Sequence, residues 1–227
     1  LYTCGENYDG QVAPKASLGY NEEECKRPRI LDLFGGQQRI ISVSCGLTHT
    51  VCVAASGCAI SFGGNESGQL GHSPKIISNV APKIVTFQSP LTSATTGSIH
   101  SNILIRKVSC GDLFTIFLTT AGEVYGCGSA SYLGNSLYTE ESNMIMYTAQ
   151  RVDSLTGTYV TDITTGAEHT LILTNTNDIY TWGSNIHCQL GYNNDTSSAT
   201  TPLKPSSGIY TLSKVIFYEL IFYLLYY

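Results

Sequence analysis

The sequence predicts a mainly β protein built from repeated antiparallel units, and three observations support that fold class. One residue pattern recurs after three glycines, Gly46, Gly111 and Gly166, which marks a repeat architecture. The 227 residues include 22 glycines and only 13% charged residues, a composition that suits many turns and little solvated helix. No segment has the periodicity of a long amphipathic helix.

Each copy of the pattern predicts three short strands. Alternating residues such as Val43 and Cys45 form a first strand that leads into the glycine. The second strand, for example 49–54, is apolar enough to be covered on both faces. A residue that tolerates positive φ then marks a tight turn into the third strand. Counted from the glycine, the recurring positions hold His49, Phe114 and His169 (third), Thr50, Thr115 and Thr170 (fourth), Gly57, Gly122 and Asn177 (eleventh), Phe62, Cys127 and Trp182 (sixteenth), and Gly63, Gly128 and Gly183 (seventeenth).

A glycine-rich loop follows the third strand. It reads Gly-x-Asn-x-x-Gly-Gln-Leu-Gly in 63–71, which contains Gln69, and nearly the same in 183–191, which contains Gln189. Residues 5–13 repeat it again near the start of the chain. The middle copy, 128–134, is two residues shorter and lacks both Asn and Gln, so we expect a tighter loop there.

These elements together resemble the repeat of the regulator of chromosome condensation family (RCC-type repeats). The resemblance implies a β-propeller of antiparallel four-stranded blades, in which each repeat supplies most of one blade and seven blades close a ring. The chain would hold about half of that ring, as part of a larger propeller or as a product that has lost repeats. The repeat cores are 41–71, 106–134 and 161–191, residues 1–13 are the second half of a preceding repeat, and 14–40, 72–105 and 135–160 are connecting loops and outer strands.

The last residues, 212–227, allow two interpretations. Their strand pattern is that of a degenerate repeat with Tyr218 at the glycine position, which would pair as an edge strand; alternatively they are an unrelated apolar tail. We do not expect a membrane span, because the run has 16 residues and contains Lys214 and Glu219.

No catalytic, cofactor-binding or metal-binding residues are predicted. His49 and His169 stand at a repeat position that holds Phe114 in the third copy, so we expect them to serve the blades rather than proton transfer. The other histidines, His72, His100 and His187, lie in loops. The eight cysteines form no C-x-x-C pair, and we expect them to be reduced and buried in a cytoplasmic or nuclear protein.

Charge and motifs exclude further classes. The net charge is -5, with 17 acidic and 12 basic residues and no basic stripe, which disfavours direct nucleic-acid binding by this segment. No phosphate-binding loop of the G-x-x-x-x-G-K-[ST] type is present. Two sequons, at Asn65 and Asn194, are short enough to occur by chance.

The resemblance implies three function classes: guanine-nucleotide exchange on the small GTPase Ran, protein interaction by a propeller fused to other domains, and scaffolding. In the exchange factor a wedge follows the aromatic-glycine element of one blade. The loops after Gly63 and Gly183 have ordinary length and the loop after Gly128 is shortened, so no repeat present carries that wedge. We therefore predict a non-catalytic protein-protein interaction propeller, with exchange activity on a Ran-like GTPase as the alternative. Segments 14–39 and 72–106 are candidate contact surfaces or, alternatively, plain solvated connectors.

Overall fold

The computed structural model describes residues 1–12, 23–32, 38–72, 80–88, 103–135, 144–191 and 197–204. These residues form three four-stranded antiparallel sheets and one two-stranded sheet, so the predicted mainly β architecture is confirmed. Each four-stranded sheet keeps its strands in chain order, as a meander. Among the described residues, no helix is long and apolar enough to cross a membrane.

We call the two-stranded sheet the half-blade and the others blades A, B and C. The half-blade contains β1 (Tyr2–Glu6) and β2 (Glu24–Ile30). Blade A contains β3 (Ile40–Cys45), β4 (His49–Ala54), β5 (Ala59–Gly63) and β6 (Val80–Ile84). Blade B contains β7 (Ile105–Cys110), β8 (Phe114–Thr119), β9 (Val124–Ser129) and β10 (Ile145–Arg151). Blade C contains β11 (Val160–Thr165), β12 (His169–Thr174), β13 (Ile179–Ser184) and β14 (Ser198–Leu203).

The second strand of each blade lies at the centre of the packing. All six residues of β4, of β8 and of β12 are buried, as their near-continuous apolar sequences predict. The turn that follows takes positive φ at the predicted positions, with φ of 85° at Gly57, 78° at Gly122 and 61° at Asn177. These three hairpins follow directly from local sequence.

The hydrophobic core lies between neighbouring blades. One cluster joins blades A and B, and Phe87 contacts Phe117 and Tyr125 edge-on, with ring centroids 5.2 and 5.6 Å apart. A second cluster joins blades B and C around the fully buried Trp182. Because each blade buries its faces against a neighbour, the blades stabilise one another.

The first glycine of each repeat is required by close packing. A Cβ built at Gly46 would overlap the imidazole of His49, and one at Gly111 would overlap the ring of Phe114. The glycine therefore makes room for the side chain three residues later, which explains why the two positions recur together.

The outer strands lie in the segments between repeat cores. β2 falls within 14–40, β6 within 72–105 and β10 within 135–160. β14 occupies part of the stretch between 191 and 212, to which sequence analysis assigned no element. In the shortened loop of blade B, Ala130–Tyr132 forms a 3-10 turn. The C-terminal segment 212–227 lies outside the described residues.

Candidate interaction surface

His49 takes part in a hydrogen-bonded contact between blades A and B. Its Nε2 lies 2.9 Å from Oγ1 of Thr115, and the Thr115 hydroxyl donates to the carbonyl oxygen of Gln69 at 2.7 Å. Since Thr115 has a single hydroxyl proton, His49 must donate from Nε2, as a neutral imidazole. His49 and Gln69 belong to blade A and Thr115 to blade B, so these two hydrogen bonds hold the two blades in register.

Burial keeps both repeat histidines neutral. Burial lowers the pKa of His49 to about 3. In blade C, burial lowers the pKa of His169, and the nearby carboxylate of Glu168 opposes that shift. His169 Nε2 has no hydrogen-bond partner among the described residues. The two side chains lie in different blades and form no common site.

The contact between blades B and C uses different residues. Phe114 replaces the histidine, and its ring packs on Tyr132 with centroids 5.4 Å apart. Tyr132 stands where blade A has Gln69, and its carbonyl accepts a hydrogen bond from Trp182 Nε1 at 2.9 Å. Thr170 Oγ1 has no partner in the part of the chain that the structure describes. The departures in the middle repeat therefore act together, replacing a polar contact with an aromatic one.

The Asn and Gln of the glycine-rich loops hold the loop backbone. Asn65 Oδ1 accepts from the Leu70 amide at 3.1 Å, and Gln69 Oε1 accepts from the Ser67 amide at 2.9 Å. The same two bonds recur in the loop of blade C, from Leu190 to Asn185 and from His187 to Gln189, and in the half-blade, from Val12 to Asn7 and from Asp9 to Gln11. Asn65 is fully buried, so its sequon is closed to glycosylation in the folded protein.

These loops share one end of the structure with the turns between first and second strands. The amides of Gly64 and Ser184 donate to the carbonyls of Thr48 and Glu168 in those turns, at 2.7 and 2.9 Å. We call this end the loop rim. The rim exposes large apolar side chains from three blades and the half-blade, namely Tyr8, Leu47, Leu113 and Ile186.

The rim also carries acidic groups. Asp112 lies in the turn of blade B and Glu168 in that of blade C, and the Asp112 amide donates to the Ala167 carbonyl at 2.8 Å. Partial burial, and then the charge of Glu168, raise the pKa of Asp112. Exposed apolar side chains beside carboxylates make the loop rim suitable for contact with another protein.

All eight cysteines are free, but they are not all buried. Cys25, Cys52, Cys110 and Cys127 are buried, and burial raises the pKa of Cys52 and Cys110 to about 12. The expectation of burial is wrong for Cys4, Cys45 and Cys188, which are exposed, and Cys58 is partly exposed. No group of three or more His, Cys, Asp or Glu in the described residues could hold a metal ion.

The candidate contact segments are only partly described. In 14–39, the side chains of Lys26, Arg27 and Arg29 are exposed on β2. The Ser/Thr-rich centre of 72–106, from Ser89 to Ser101, lies outside the described residues. Within the described part, Val85 and Phe87 are buried in the core between blades A and B, so that stretch is not simply a solvated connector.

Sequence analysis missed a charged contact between blades B and C. Arg106 Nη2 donates to the carbonyls of Val160 and Thr161 at 3.2 and 2.6 Å, and Lys107 forms an ion pair with the buried Asp162. Lys107 and Asp162 stand at the same repeat position with opposite charges. The opposite charges at this repeat position were a signal in the sequence from which the ion pair could have been predicted.

Comparison with known proteins shows which repeat this is. Residues 40–69, 105–132 and 160–188 match the regulator of chromosome condensation (RCC1) repeat, and a second form of the same repeat matches residues 1–53. Together these matches cover more than half of the chain.

Two sequence relatives and one solved structure are similar to this chain. The chain is 29% identical to the human E3 ubiquitin-protein ligase HERC2, over 84% of this chain and 5% of that protein. It is 28% identical to the ultraviolet-B receptor UVR8 of Arabidopsis thaliana, over 93% of this chain and 43% of that protein. The structure of human WBSCR16 matches with a TM-score of 0.71 and 22% identity, over 93% of this chain and 50% of that one. The chain thus spans less than half the length of these two sequence relatives.

Proposed function

The chain belongs to the regulator of chromosome condensation (RCC1) repeat family, and from that premise we propose that it is a non-catalytic protein-protein interaction propeller. We propose further that it acts within a larger regulatory protein, since it spans 5% and 43% of the two relatives above. Free cysteines favour a reducing compartment, so we place it in the cytoplasm or nucleus.

The observation that carries this proposal is that some residues of the glycine-rich loops hold the loop backbone, whereas others are exposed and variable. The Asn and Gln of each full-length loop are used to hold its backbone, by the same two hydrogen bonds. The residue directly after the Asn is exposed in all three loops and differs in each: Tyr8, Glu66 and Ile186. A loop backbone of constant conformation that presents exposed side chains of different types is the arrangement expected of a recognition surface on a rigid scaffold.

The exposed tips have the chemistry of interface anchors. Tyr8, Leu47 and Ile186 are all more than half exposed, although each is large and apolar. Aromatic and aliphatic side chains of this kind contribute most to binding when a partner excludes water from them. The neighbouring Asp112 and Glu168 favour a partner with basic residues around an apolar centre.

The proposal is tested by replacing exposed apolar side chains of the loop rim. We would replace Leu47 and Ile186 with Asp in the full chain and compare the proteins that each form retains from extracts of its source cells. Loss of specific partners is expected, because a buried carboxylate without a counter-charge is strongly unfavourable at an interface. The matched control is Ile84→Asp, an exposed isoleucine on the outer strand β6 rather than on the rim. Identical partners for the rim variant and the wild-type chain would contradict the proposal.

The alternative, exchange activity on a Ran-like small GTPase, stays a prediction. It is separated from the first by measuring release of labelled GDP from such a GTPase with the full chain. Acceleration at micromolar concentration would support exchange, and no acceleration would remove it.

A further inference from the structure

Charge is distributed unevenly between the loop rim and the rest of the chain. The rim consists of the glycine-rich loops and the turns between first and second strands, at 46–48, 111–113 and 166–168. These segments contain no lysine or arginine, and their carboxylates are Glu6, Asp9, Glu66, Asp112 and Glu168. The rim is therefore a surface of one charge sign, with exposed apolar side chains within it.

The ion pairs within the described residues lie away from the rim. They join outer strands, strand turns or neighbouring first strands, namely Glu24 with Lys26, Glu123 and Asp153 with Arg151, Asp162 with Lys107, and Asp178 with Lys204. No rim carboxylate forms an ion pair within the same described part of the chain. The negative charge of the rim is thus not offset by cations of the described chain, whereas much of the negative charge elsewhere is.

Two of the rim carboxylates lie close together where blades B and C meet. The Asp112 amide donates to the Ala167 carbonyl at 2.8 Å, so the turns of the two blades are adjacent. Partial burial, and then the charge of Glu168, raise the pKa of Asp112. Burial, and then the same Glu168 charge, also raise the pKa of Tyr132. A cation placed here by a partner would relieve the repulsion between the two carboxylates.

Apolar side chains lie on the same turns. Leu47 in blade A and Leu113 in blade B are both exposed. The turns of blades A and B are also adjacent, because a Cβ built at Gly46 would lie 2.4 Å from the Gly111 carbonyl oxygen. Leu47, Asp112, Leu113 and Glu168 therefore follow one another across three adjacent turns, and we call them the turn row. All four belong to the four-stranded blades.

The charge of the rim selects among possible occupants. Nucleic acids and anionic lipid surfaces carry negative charge and are repelled by an acidic surface. A second copy of this chain that presented its own rim would place carboxylates against carboxylates, which is unfavourable at an interface. A protein segment with both cationic and apolar side chains matches the turn row in charge and in polarity.

We infer that the turn row binds a partner segment in which lysine or arginine residues flank large apolar residues. The cationic groups lie at Asp112 and Glu168, and the apolar side chains pack on Leu47 and Leu113. Association is steered by charge and weakens as salt is added. The inference rests on the proposed function of the loop rim as an interaction surface, and it adds the chemistry of the partner and the side chains that select it.

The test uses a short labelled peptide of lysine and leucine residues, and its binding to the full chain is followed by fluorescence anisotropy. Asp112→Asn combined with Glu168→Gln should weaken binding at least about fivefold at low salt, because two exposed charge pairs are lost. The matched control is Asp153→Asn combined with Asp178→Asn, which removes the same charge away from the rim and should change the affinity less than about twofold. A peptide with glutamate in place of lysine should not bind.

Three results would overturn the inference. They are no binding of the lysine-leucine peptide to the wild-type chain, equal weakening by the two double variants, and equal binding of the glutamate peptide. Equal weakening would show that net charge, and not the turn row, attracts the peptide.

Failure of the proposed function gives a different result. Partners that are unchanged by Leu47→Asp and Ile186→Asp contradict the proposed function. Partners that are lost with those substitutions but retained by Asp112→Asn combined with Glu168→Gln leave the proposed function standing and contradict this inference.

Discussion

The stability of this protein should fall below pH 6.5, and His49 should account for a defined part of the loss. Burial lowers the pKa of His49 from 6.5 to about 3. In the unfolded chain this histidine therefore binds a proton below about pH 6.5, whereas in the folded chain it does so only near pH 3. The stability due to neutral His49 is complete above pH 6.5 and is lost as the pH falls towards 3.

The size of this effect follows from the two pKa values. The full difference corresponds to roughly 4 to 5 kcal/mol at 1.36 kcal/mol per pKa unit. At pH 5, where an unfolded histidine is almost fully charged, the loss is about 2 kcal/mol relative to pH 8. Protonation is unfavourable because Nδ1 is buried without a partner among the described residues, so the added N–H would have no acceptor there.

The perturbation is His49→Phe, the residue that blade B carries at the same repeat position. Urea unfolding of the full chain at pH 8, 7, 6 and 5 gives the free energy of unfolding of both forms. The wild-type value should fall by about 2 kcal/mol more than that of the variant between pH 8 and 5. Burial lowers the pKa of His72 and of His169 as well, but both remain in the variant, so their contribution cancels in the comparison.

Equal pH dependence of the two forms would refute this reasoning. If His49→Phe does not fold, His49→Gln provides a second comparison, because it cannot be protonated yet keeps an N–H donor for Thr115. The difference in pH slope should then be the same.

Three further substitutions test the packing, each by urea unfolding at pH 7. Cys188 has φ of 59° at a position that is glycine in the other full-length loops, so Cys188→Gly should stabilise the protein by up to about 1 kcal/mol; an equal gain from Cys188→Ala would argue against backbone strain. Gly111→Ala should destabilise by about 1 to 3 kcal/mol, because its Cβ would overlap the Phe114 ring, and a neutral effect would show that the ring has room to move. Trp182→Phe should destabilise by about 2 kcal/mol or more, because it leaves a cavity and an unpaired carbonyl at Tyr132. A loss below about 0.5 kcal/mol would count against that hydrogen bond.

Much of the fold was predictable because it is local and repeated. The strand order within a repeat, the positive φ at Gly57, Gly122 and Asn177, and the full burial of the second strands all follow from residue type at fixed spacing. A hairpin turn and an alternating strand depend on a few consecutive residues, so three copies of the pattern give three independent indications of the same unit.

The proposed interaction surface was less predictable. Sequence analysis offered the long connecting segments 14–39 and 72–106 as candidate contact surfaces, with solvated connectors as the alternative. The structure shows exposed apolar side chains on the loop rim, at positions to which the repeat alignment assigned no role. Tyr8 and Ile186 follow the recurring Asn directly, and the variation at that position was the signal available. The expectation that the cysteines are buried was wrong for Cys45 because exposure there depends on a neighbouring blade.

By itself, the sequence determined the repeat, the strands and turns within it, and the family. Only the tertiary structure decided which of two equivalent positions is covered. Val43 and Val108 have the same side chain at the same repeat position, yet one is half exposed and the other is buried. Local sequence selects backbone conformation through short-range sterics and hydrogen bonds, whereas burial is a property of the surface that another blade presents.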